Sequence, residues 1–354
     1  MNRPQLVNFS AIASENQIAL RASLTLAEID NLSTINKNKT PFDSIHLFQK
    51  EMFRSKIVGL NKDDKIIFVR EYDSDNYGRF KIKLPTKVNG SHISKLMIYE
   101  TAFIKGIDLY LGSFLPLIIN REKKLVISDF DKTLVDTKYS TPTEMYYSLN
   151  RPLNFFPSVN ESILKLKEYI EAGHQPFILS ASPHFYVNAI RDWLYQNRLF
   201  VSDILLKDYR DFISIFDGAL TTKDLKKQGF YKLNQLIDVI LMTRMPKQLI
   251  LMGDGFESDP FIYLTLKRLL TPHSDPWKIW NSIKNHNIFK LTTKQDSYFI
   301  TKFYQLSEMA KKAEHCDIKI LIRATEENIL KLETCEFKDQ VLTELNKTIE
   351  YYIA

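Results

Sequence analysis

Apolar and polar positions follow two rhythms along this chain, and the change falls near residue 120. Residues 1 to about 60 are mixed and polar, with apolar spots and no clear period. From Lys65, "KIIFVREYDSDNYGRFKIKLP" reads as a strand, a turn rich in Asp, Asn and Gly, and a second strand. In that second piece Phe80, Ile82 and Leu84 alternate with Arg79, Lys81 and Lys83, the period-two pattern of a strand with one wet face. The stretch is predicted to be a β-hairpin. "SKLMIYETAF" and "IDLYLGSFLPLII" add further strands, so a small antiparallel sheet or sandwich is expected over residues 1–120.

After Lys124 strands and helices alternate. "KKLVISD" is a strand. "SVNESILKLKEYIEAGH" is a helix, with Ser158 and Glu161 spaced as a capping box and Gly173 as a stop. "PFILSAS" is a strand, and Pro183 is placed to open the helix "HFYVNAIRDWLYQNR". "VSDILLKD", the helix "FYKLNQLIDVILMTRM" stopped at Pro246, "KQLILMGD" and the helix "DPFIYLTLKRLL" complete the series. Such alternation predicts an α/β domain over 121–270, a Rossmann-like parallel sheet with helices on both faces. Ligands in such sheets bind beyond the carboxyl ends of the strands. From about Thr271 the segments "FYQLSEMAKKAEH" and "ATEENILKLETCEFKDQVLTELNKTIEYYI" predict a helical extension over 271–354.

Composition narrows the class little. Of 354 residues, 44% are hydrophobic and 25% charged, ordinary for a globular chain with a full core. The net charge of +6 suits nucleic acid, an anionic membrane surface or a phosphorylated substrate. The lysines are dispersed rather than massed in an arm, and no nucleic-acid partner is expected. Two cysteines, Cys316 and Cys335, are too few for a disulfide framework and read as free thiols in a reducing compartment. No window approaches ~18 uninterrupted apolar residues, so no transmembrane segment is expected. The N-terminus lacks a signal-peptide core, so the expected place is cytoplasmic, with peripheral contact at membranes.

The candidate chemistry lies at strand ends: Asp129-Phe130-Asp131-Lys132-Thr133 after the first, Ser180-Ala181-Ser182-Pro183 after the second, and Gly253-Asp254 followed by Asp259 after the fourth. Phosphoryl transfer explains the set. Asp129 can attack phosphorus to form an aspartyl-phosphate, dividing one hard step into two. A carboxylate facing a phosphate needs added positive charge, which Mg²⁺ supplies through oxygen ligands. Asp129 and Asp254 can share one ion, with the main-chain carbonyl of Asp131 as a third ligand. The Asp131 side chain is then left to protonate the leaving oxygen and later deprotonate water. Ser180 and Lys232 would hold the phosphate oxygens, and Asp259 would orient Lys232 or a metal-bound water. Thr133 completes the D-x-D-x-T string. Ser182 competes with Ser180 for the phosphate role, and Lys223, Lys226 and Lys227 compete with Lys232. The competing reading of Asp129 and Asp131 is an acidic turn capping a helix.

The four motifs, in this order, resemble the haloacid dehalogenase superfamily of Mg²⁺-dependent phosphatases. "VISDFDKTLVDT", "FILSASPHFY", "FYKLNQLIDVI" and "LILMGDGFESDPFIY" are similar to blocks of the actin-patch phosphatidate phosphatase family, which reads roughly ISDIDDTI-DT, Y-S-SP, HK---I and LIGDSGQ-DP-IY. The likeness covers about residues 65–265. Lys132 stands where the family has an acidic residue, Tyr231 where it has His, and Phe256-Glu257 where it has Gly-Gln. The resemblance implies phosphatidate, a phospholipid at a membrane surface, as substrate and diacylglycerol as product; a phosphoprotein or soluble ester is the alternative, as is a non-enzymatic module binding anionic lipid or a partner. About 25 residues separate the first strand from its helix, too few for a full cap domain, so an open site is expected. His174 and His184 read as surface or capping residues. Trp193, Trp277 and Trp280 read as packing residues, with the last two also able to touch a membrane interface.

Overall fold

This computed structural model describes residues 2–14, 17–28, 51–85, 92–119, 122–137, 153–183, 186–207, 228–286, 289, 293–313, 315–325 and 349–352. They divide into two compact units, those up to Ile119 and those from Glu122 on.

The first unit is a two-sheet β structure. Strands β1 (Asn2–Ser14) and β2 (Gln17–Glu28) pair antiparallel over their whole length. With β5 (Arg79–Pro85) and the short β8 (Leu117–Ile118) they form a sheet in the order β5-β2-β1-β8. The second sheet runs β4-β3-β6-β7, built from β3 (Arg54–Leu60), β4 (Ile66–Asp73), β6 (Lys95–Ile104) and β7 (Ile107–Phe114). Both contribute to one core, in which Ile18, Leu20, Ala22, Phe80 and Ile82 meet Phe53, Ile57 and Leu96. The expected hairpin over 65–85 is therefore corrected: β4 pairs with β3 and β5 pairs with β2. The turn between them carries the chain from one sheet to the other. Asp75 holds it by accepting from the backbone N–H of Tyr77 and Arg79 and from the Arg79 guanidinium. The stretch read as lacking a period holds β1, β2 and β3.

The second unit centres on a six-stranded parallel sheet in the order β11-β10-β9-β12-β13-β14. Its strands are β9 (Lys124–Asp129), β10 (Gln175–Pro183), β11 (Asp203–Lys207), β12 (Gln248–Asp254), β13 (Asp317–Arg323) and β14 (Ile349–Tyr352). Central strands buried on both faces read as continuous apolar runs, as "LVIS" and "LILM" do. Helices α1 (Asn160–Glu171) and α2 (Val187–Gln196) cover one face, where Ile163, Leu166, Ile190 and Trp193 pack on Val126, Ile178 and Ile250. Helices α3 (Gln228–Thr243) and α4 (Asp259–Leu270) lie against β10, β12 and β13 without entering that cluster. Helices α5 (Pro276–Ile283) and α6 (Thr293–Lys311) pack beside α4 through an aromatic group in which Trp280 stacks on Phe299 at 5.4 Å. The sheet order reverses direction between β9 and β12, and such a switch point opens a crevice at the carboxyl ends.

Several local expectations change. The extension from Thr271 is not wholly helical: β13 and β14 complete the sheet, and Ile349–Tyr352, read as the end of a helix, is a strand. The rest of that reading, 326–348, lies outside the described residues, as do His184, Cys335, Lys223, Lys226, Lys227 and 138–152 of the segment between β9 and α1. Helix α1 is preceded by Val159 with no side-chain cap, so the Ser158–Glu161 capping box is not formed; Ser158 instead bridges to Val135. Gly173, at φ 86°, does end α1, taking the left-handed conformation that costs other residues a Cβ clash. Pro183 ends β10 rather than opening α2. His174 is buried, not a surface residue: its backbone N–H and ring Nδ1 both lie 3.0 Å from the Tyr169 carbonyl. Trp193 meets Phe130 edge-on in the core, Trp280 is buried, and Trp277 is exposed beneath Lys284. Cys316 is a buried free thiol, pushed up to about 12 by burial and the neighbouring Asp317.

Candidate active site

Asp129 is the last residue of β9 and Asp254 the last of β12, the two strands that flank the switch point. Past β9, Phe130 to Val135 form a tight turn, in which Leu134 and Val135 donate to the Phe130 carbonyl and Lys132 stands at φ 59°. That turn swings Asp131 back over the sheet end. Ser180 and Ser182 arrive from the end of β10, Lys232 from the first turns of α3, and Asp259 from the first turn of α4.

These side chains are brought together in an almost solvent-free cluster. Carboxylate oxygens of Asp129, Asp254 and Asp259 lie within 4.8 Å of one another. Lys232 Nζ sits 3.0 Å from Asp129 Oδ1 and donates to Asp259 Oδ1 at 2.7 Å. Asp259 Oδ2 accepts the Asp254 N–H at 3.3 Å, which fixes α4 against the end of β12. This close approach requires glycine at 253, because an added Cβ would lie 2.5 Å from Asp259 Oδ2 and 2.7 Å from the Tyr263 ring.

Asp131 faces the opposite side of the cluster. Its Oδ2 accepts from Ser180 Oγ at 2.7 Å and Ser182 Oγ at 2.9 Å, and its Oδ1 from Thr137 Oγ1 at 3.2 Å. Ser182 also donates its N–H to Ser180 Oγ. Both serines that competed for the phosphate role thus hold Asp131. Thr133 donates to Asp129 Oδ2 at 3.2 Å, which orients the remaining oxygen of Asp129 toward Lys232 and Asp254.

Burial sets the electrostatics. It pushes the carboxyls of Asp129 and Asp254 well above the ordinary range, with neighbouring carboxylates adding to the rise and Lys232 opposing it. Asp131 is also raised by burial, against the hydrogen bonds from Ser180 and Ser182. Burial works to discharge Lys232, but Asp129, Asp259 and Glu257 overcome it and hold the ammonium well above its usual value. The cluster of like charges is therefore short of positive charge. Asp254 Oδ2 is buried and accepts no hydrogen bond, and Asp129 Oδ1, also buried, meets only the Lys232 ammonium at 3.0 Å; the side-chain atoms here that could ligate an ion are all carboxylate oxygens. A buried carboxylate oxygen left without a donor in an oxygen-only ligand set fits a hard divalent cation.

Four residues beyond the sequence assignment complete the site. Glu257 bonds Lys132 at 2.9 Å and lies 3.8 Å from Lys232. Its carboxyl is lowered by these two lysines despite burial. Lys132 and Glu257 were visible only as separate departures from the family pattern, and they prove to be partners. Arg323, from the end of β13, donates to the Lys132 carbonyl at 2.5 Å and to Asp136 at 3.3 Å, and its guanidinium lies 5.7 Å from the exposed Phe256 ring. Thr137 closes the VISDFDKTLVDT stretch, but spacing along the chain does not show its bond to Asp131.

Comparison with known proteins agrees with this part of the chain. No curated protein matches. Among solved structures, a calcium-binding mutant of Bacteroides uniformis beta-glucuronidase 2 matches at 8% identity and TM-score 0.27, covering 98% of this chain and 36% of that one. Parabacteroides merdae beta-glucuronidase matches at 9% and 0.29, covering 98% and 39%. A putative beta-galactosidase from Bacteroides fragilis matches at 10% and 0.28, covering 99% and 54%. The chain thus spans between about a third and a half of these proteins' length, and at such TM-scores the likeness has no bearing on the site. Residues 124–272, which hold Asp129 through Asp259, match the family model of the phosphatidate phosphatase APP1 catalytic domain, and this segment is similar to that domain.

Proposed function

We propose that the second unit is a Mg²⁺-dependent phosphomonoester phosphatase on a haloacid dehalogenase-type scaffold, hydrolysing phosphatidate to diacylglycerol and phosphate. One observation carries the reading: four buried carboxylates and one buried lysine converge at the carboxyl ends of β9, β10 and β12, beside the switch point. A solvated acidic turn capping a helix would have no reason to bury them together.

Asp129, Asp254 and the Asp131 carbonyl would hold the cation, which when bound supplies the positive charge that lets a carboxylate meet a phosphate dianion. Asp129 attacks phosphorus while the bond to the glycerol oxygen breaks, leaving the phosphoryl group on Asp129. Asp131, whose carboxyl is raised by burial against the hydrogen bonds of Ser180 and Ser182, gives its proton to that departing oxygen. It then takes one from the water that hydrolyses the acyl-phosphate and frees Asp129. Ser180, Ser182 and Thr137 fix the Asp131 carboxyl in place for both transfers. Lys232, anchored by Asp259, balances the charge spread over the transferring oxygens. The rim of Lys132, Arg323 and exposed Phe256 combines cations with an apolar ring, which suits an amphiphilic phosphate ester.

Phosphate release should be measured from phosphatidate in mixed micelles, a phosphopeptide set and a soluble phosphate monoester, with Mg²⁺ and with chelator. The expected result is Mg²⁺-dependent release, fastest on phosphatidate, falling by about 10³-fold or more in Asp129→Asn, in keeping with loss of a nucleophile. A near-native rate in that variant removes the mechanism, and preference for the soluble ester removes the lipid substrate.

A further inference from the structure

The β6–β7 hairpin of the first unit ends in "AFIKGID", where polar turn residues are the rule. Ile104 pairs with Ile107 across the two-residue turn Lys105-Gly106, and Gly106 takes φ 79°. Phe103, Ile104 and Ile107 are 39%, 41% and 52% exposed. The other hairpin of the same sheet, β3–β4, turns through the polar Lys62-Asp63-Asp64-Lys65, with a single exposed Ile66 at the start of β4.

Two features show that the apolar tip is built rather than frayed. Ser55, near the start of β3, stands opposite Glu100, so Ala102 to Ile107 run past the end of the neighbouring strand. That overhang is three residues on the β6 arm, about 10 Å. A bulge at its base is pinned by the buried Glu100 carboxylate, which accepts the N–H groups of Ala102 at 3.0 Å, Phe103 at 2.7 Å and Arg54 at 3.3 Å. The hairpin is thereby held out with its large side chains presented. Behind the tip stand Tyr99 and Tyr110, ring centroids 5.5 Å apart, the amphipathic residue type favoured at membrane interfaces. Exposed Met52, just before β3, widens the apolar end.

Charge decides the occupant. Of the acids around the tip, Asp73 pairs with Arg54 and Asp108 with Lys56, Glu51 and Glu71 stand further back along the strands, and among the described residues no carboxylate pairs with Lys105 at the apex. A convex apolar projection crowned by one unpaired cation matches the headgroup layer of an anionic bilayer with acyl chains beneath. We propose that this hairpin tip docks the protein on anionic membranes, seating Phe103, Ile104 and Ile107 at the acyl boundary and Lys105 among phosphate headgroups. The proposal concerns binding by the first unit and does not depend on the phosphatase reading.

The test is co-sedimentation of the full chain with vesicles of phosphatidylcholine alone or mixed with phosphatidylglycerol. The native chain should bind the mixed vesicles. Replacing Phe103, Ile104 and Ile107 together by Ser should weaken binding about tenfold or more, and Lys105→Glu about fivefold on the anionic vesicles only. Because the triple variant could misfold, Phe103→Trp gives a second reading: its emission should shift to the blue and be quenched by brominated lipid. Asp129→Asn should bind as the native chain does, which separates docking from turnover. The proposal is overturned by unchanged binding of the triple variant, by an emission that ignores vesicles, or by loss of binding in Asp129→Asn. Tip-dependent self-association without vesicle binding would equally overturn it, by making a second copy the occupant.

Discussion

The two carboxylate oxygens of Asp254 meet different surroundings: Oδ1 accepts the N–H groups of Phe256 at 2.7 Å and Glu257 at 2.9 Å, while Oδ2 is buried and accepts nothing. The first arrangement shapes the turn after β12, and the second leaves a negative oxygen beside Asp129 and Asp259. Asp254→Asn keeps an acceptor for the turn and turns the orphan oxygen into a donor facing two carboxylates. In chelator the variant should therefore be more stable, by about 1 kcal/mol, while losing turnover, as when a strained functional group is relieved. Thermal midpoints with and without Mg²⁺ check this; a lower midpoint in chelator would mean the orphan oxygen is not under strain. Gly253 predicts the reverse sign. Gly253→Ala forces a Cβ into the Asp259 carboxylate and the Tyr263 ring, and overpacking of this kind costs about 1–3 kcal/mol in a urea titration.

At the scale of elements, single strands were legible where an apolar run or a period-two pattern was strong, and partnerships were not. Phe80, Ile82 and Leu84 are the buried face of β5, as their alternation implied, yet alternation states only that a strand exists and cannot name its neighbour. The Asp75 turn looked like a hairpin because Asp, Asn and Gly serve any tight reversal, including one that changes sheets. Strand β2 was not legible although Ile18, Leu20, Ala22 and Leu24 alternate; on its other face only Arg21 is large and polar, while Ala19, Ser23 and Thr25 are buried and small, which blurs the contrast. The clustered aspartates were legible as a group because a charge closing an apolar strand has few structural uses, whereas Arg323 was not, since it reaches the site from a strand added nearly 200 residues later. The α1–β10 junction offers a pH test. Burial lowers the His174 imidazole below its usual value, with Lys124 adding to the effect and Glu122 and the Tyr169 carbonyl opposing it. Neutral His174 is thus favoured by folding. The stability it supports is complete above the unfolded value of about 6.5 and is lost as pH falls through the lower folded value. Urea midpoints should drop between pH 7 and 5, and less so in His174→Gln; equal slopes would exclude His174 as the titrating group.

For the whole molecule, the segment that matches the phosphatase family, residues 124–272, is shorter than the sheet that carries its site. β13 pairs with β12 along all seven residues of each, so removing it would expose the ladder edge of the strand that ends in Asp254. Arg323 would leave with it, freeing the Lys132 carbonyl and the turn that aims Asp131. β14 closes the outer edge, where the buried Tyr352 hydroxyl meets Ser162 of α1 at 2.8 Å and the ring joins the core beneath Ile163 and Leu166. A chain ended at residue 272 should therefore be insoluble or lack a cooperative unfolding transition, because an exposed apolar strand edge invites association. A milder probe is Tyr352→Phe, which leaves Ser162 without its buried partner and should cost about 1–2 kcal/mol in a urea titration while preserving turnover. If the 124–272 piece instead folds cooperatively and releases phosphate at the native rate, β13 and β14 are an accessory, and the site is complete without the strands that here brace it.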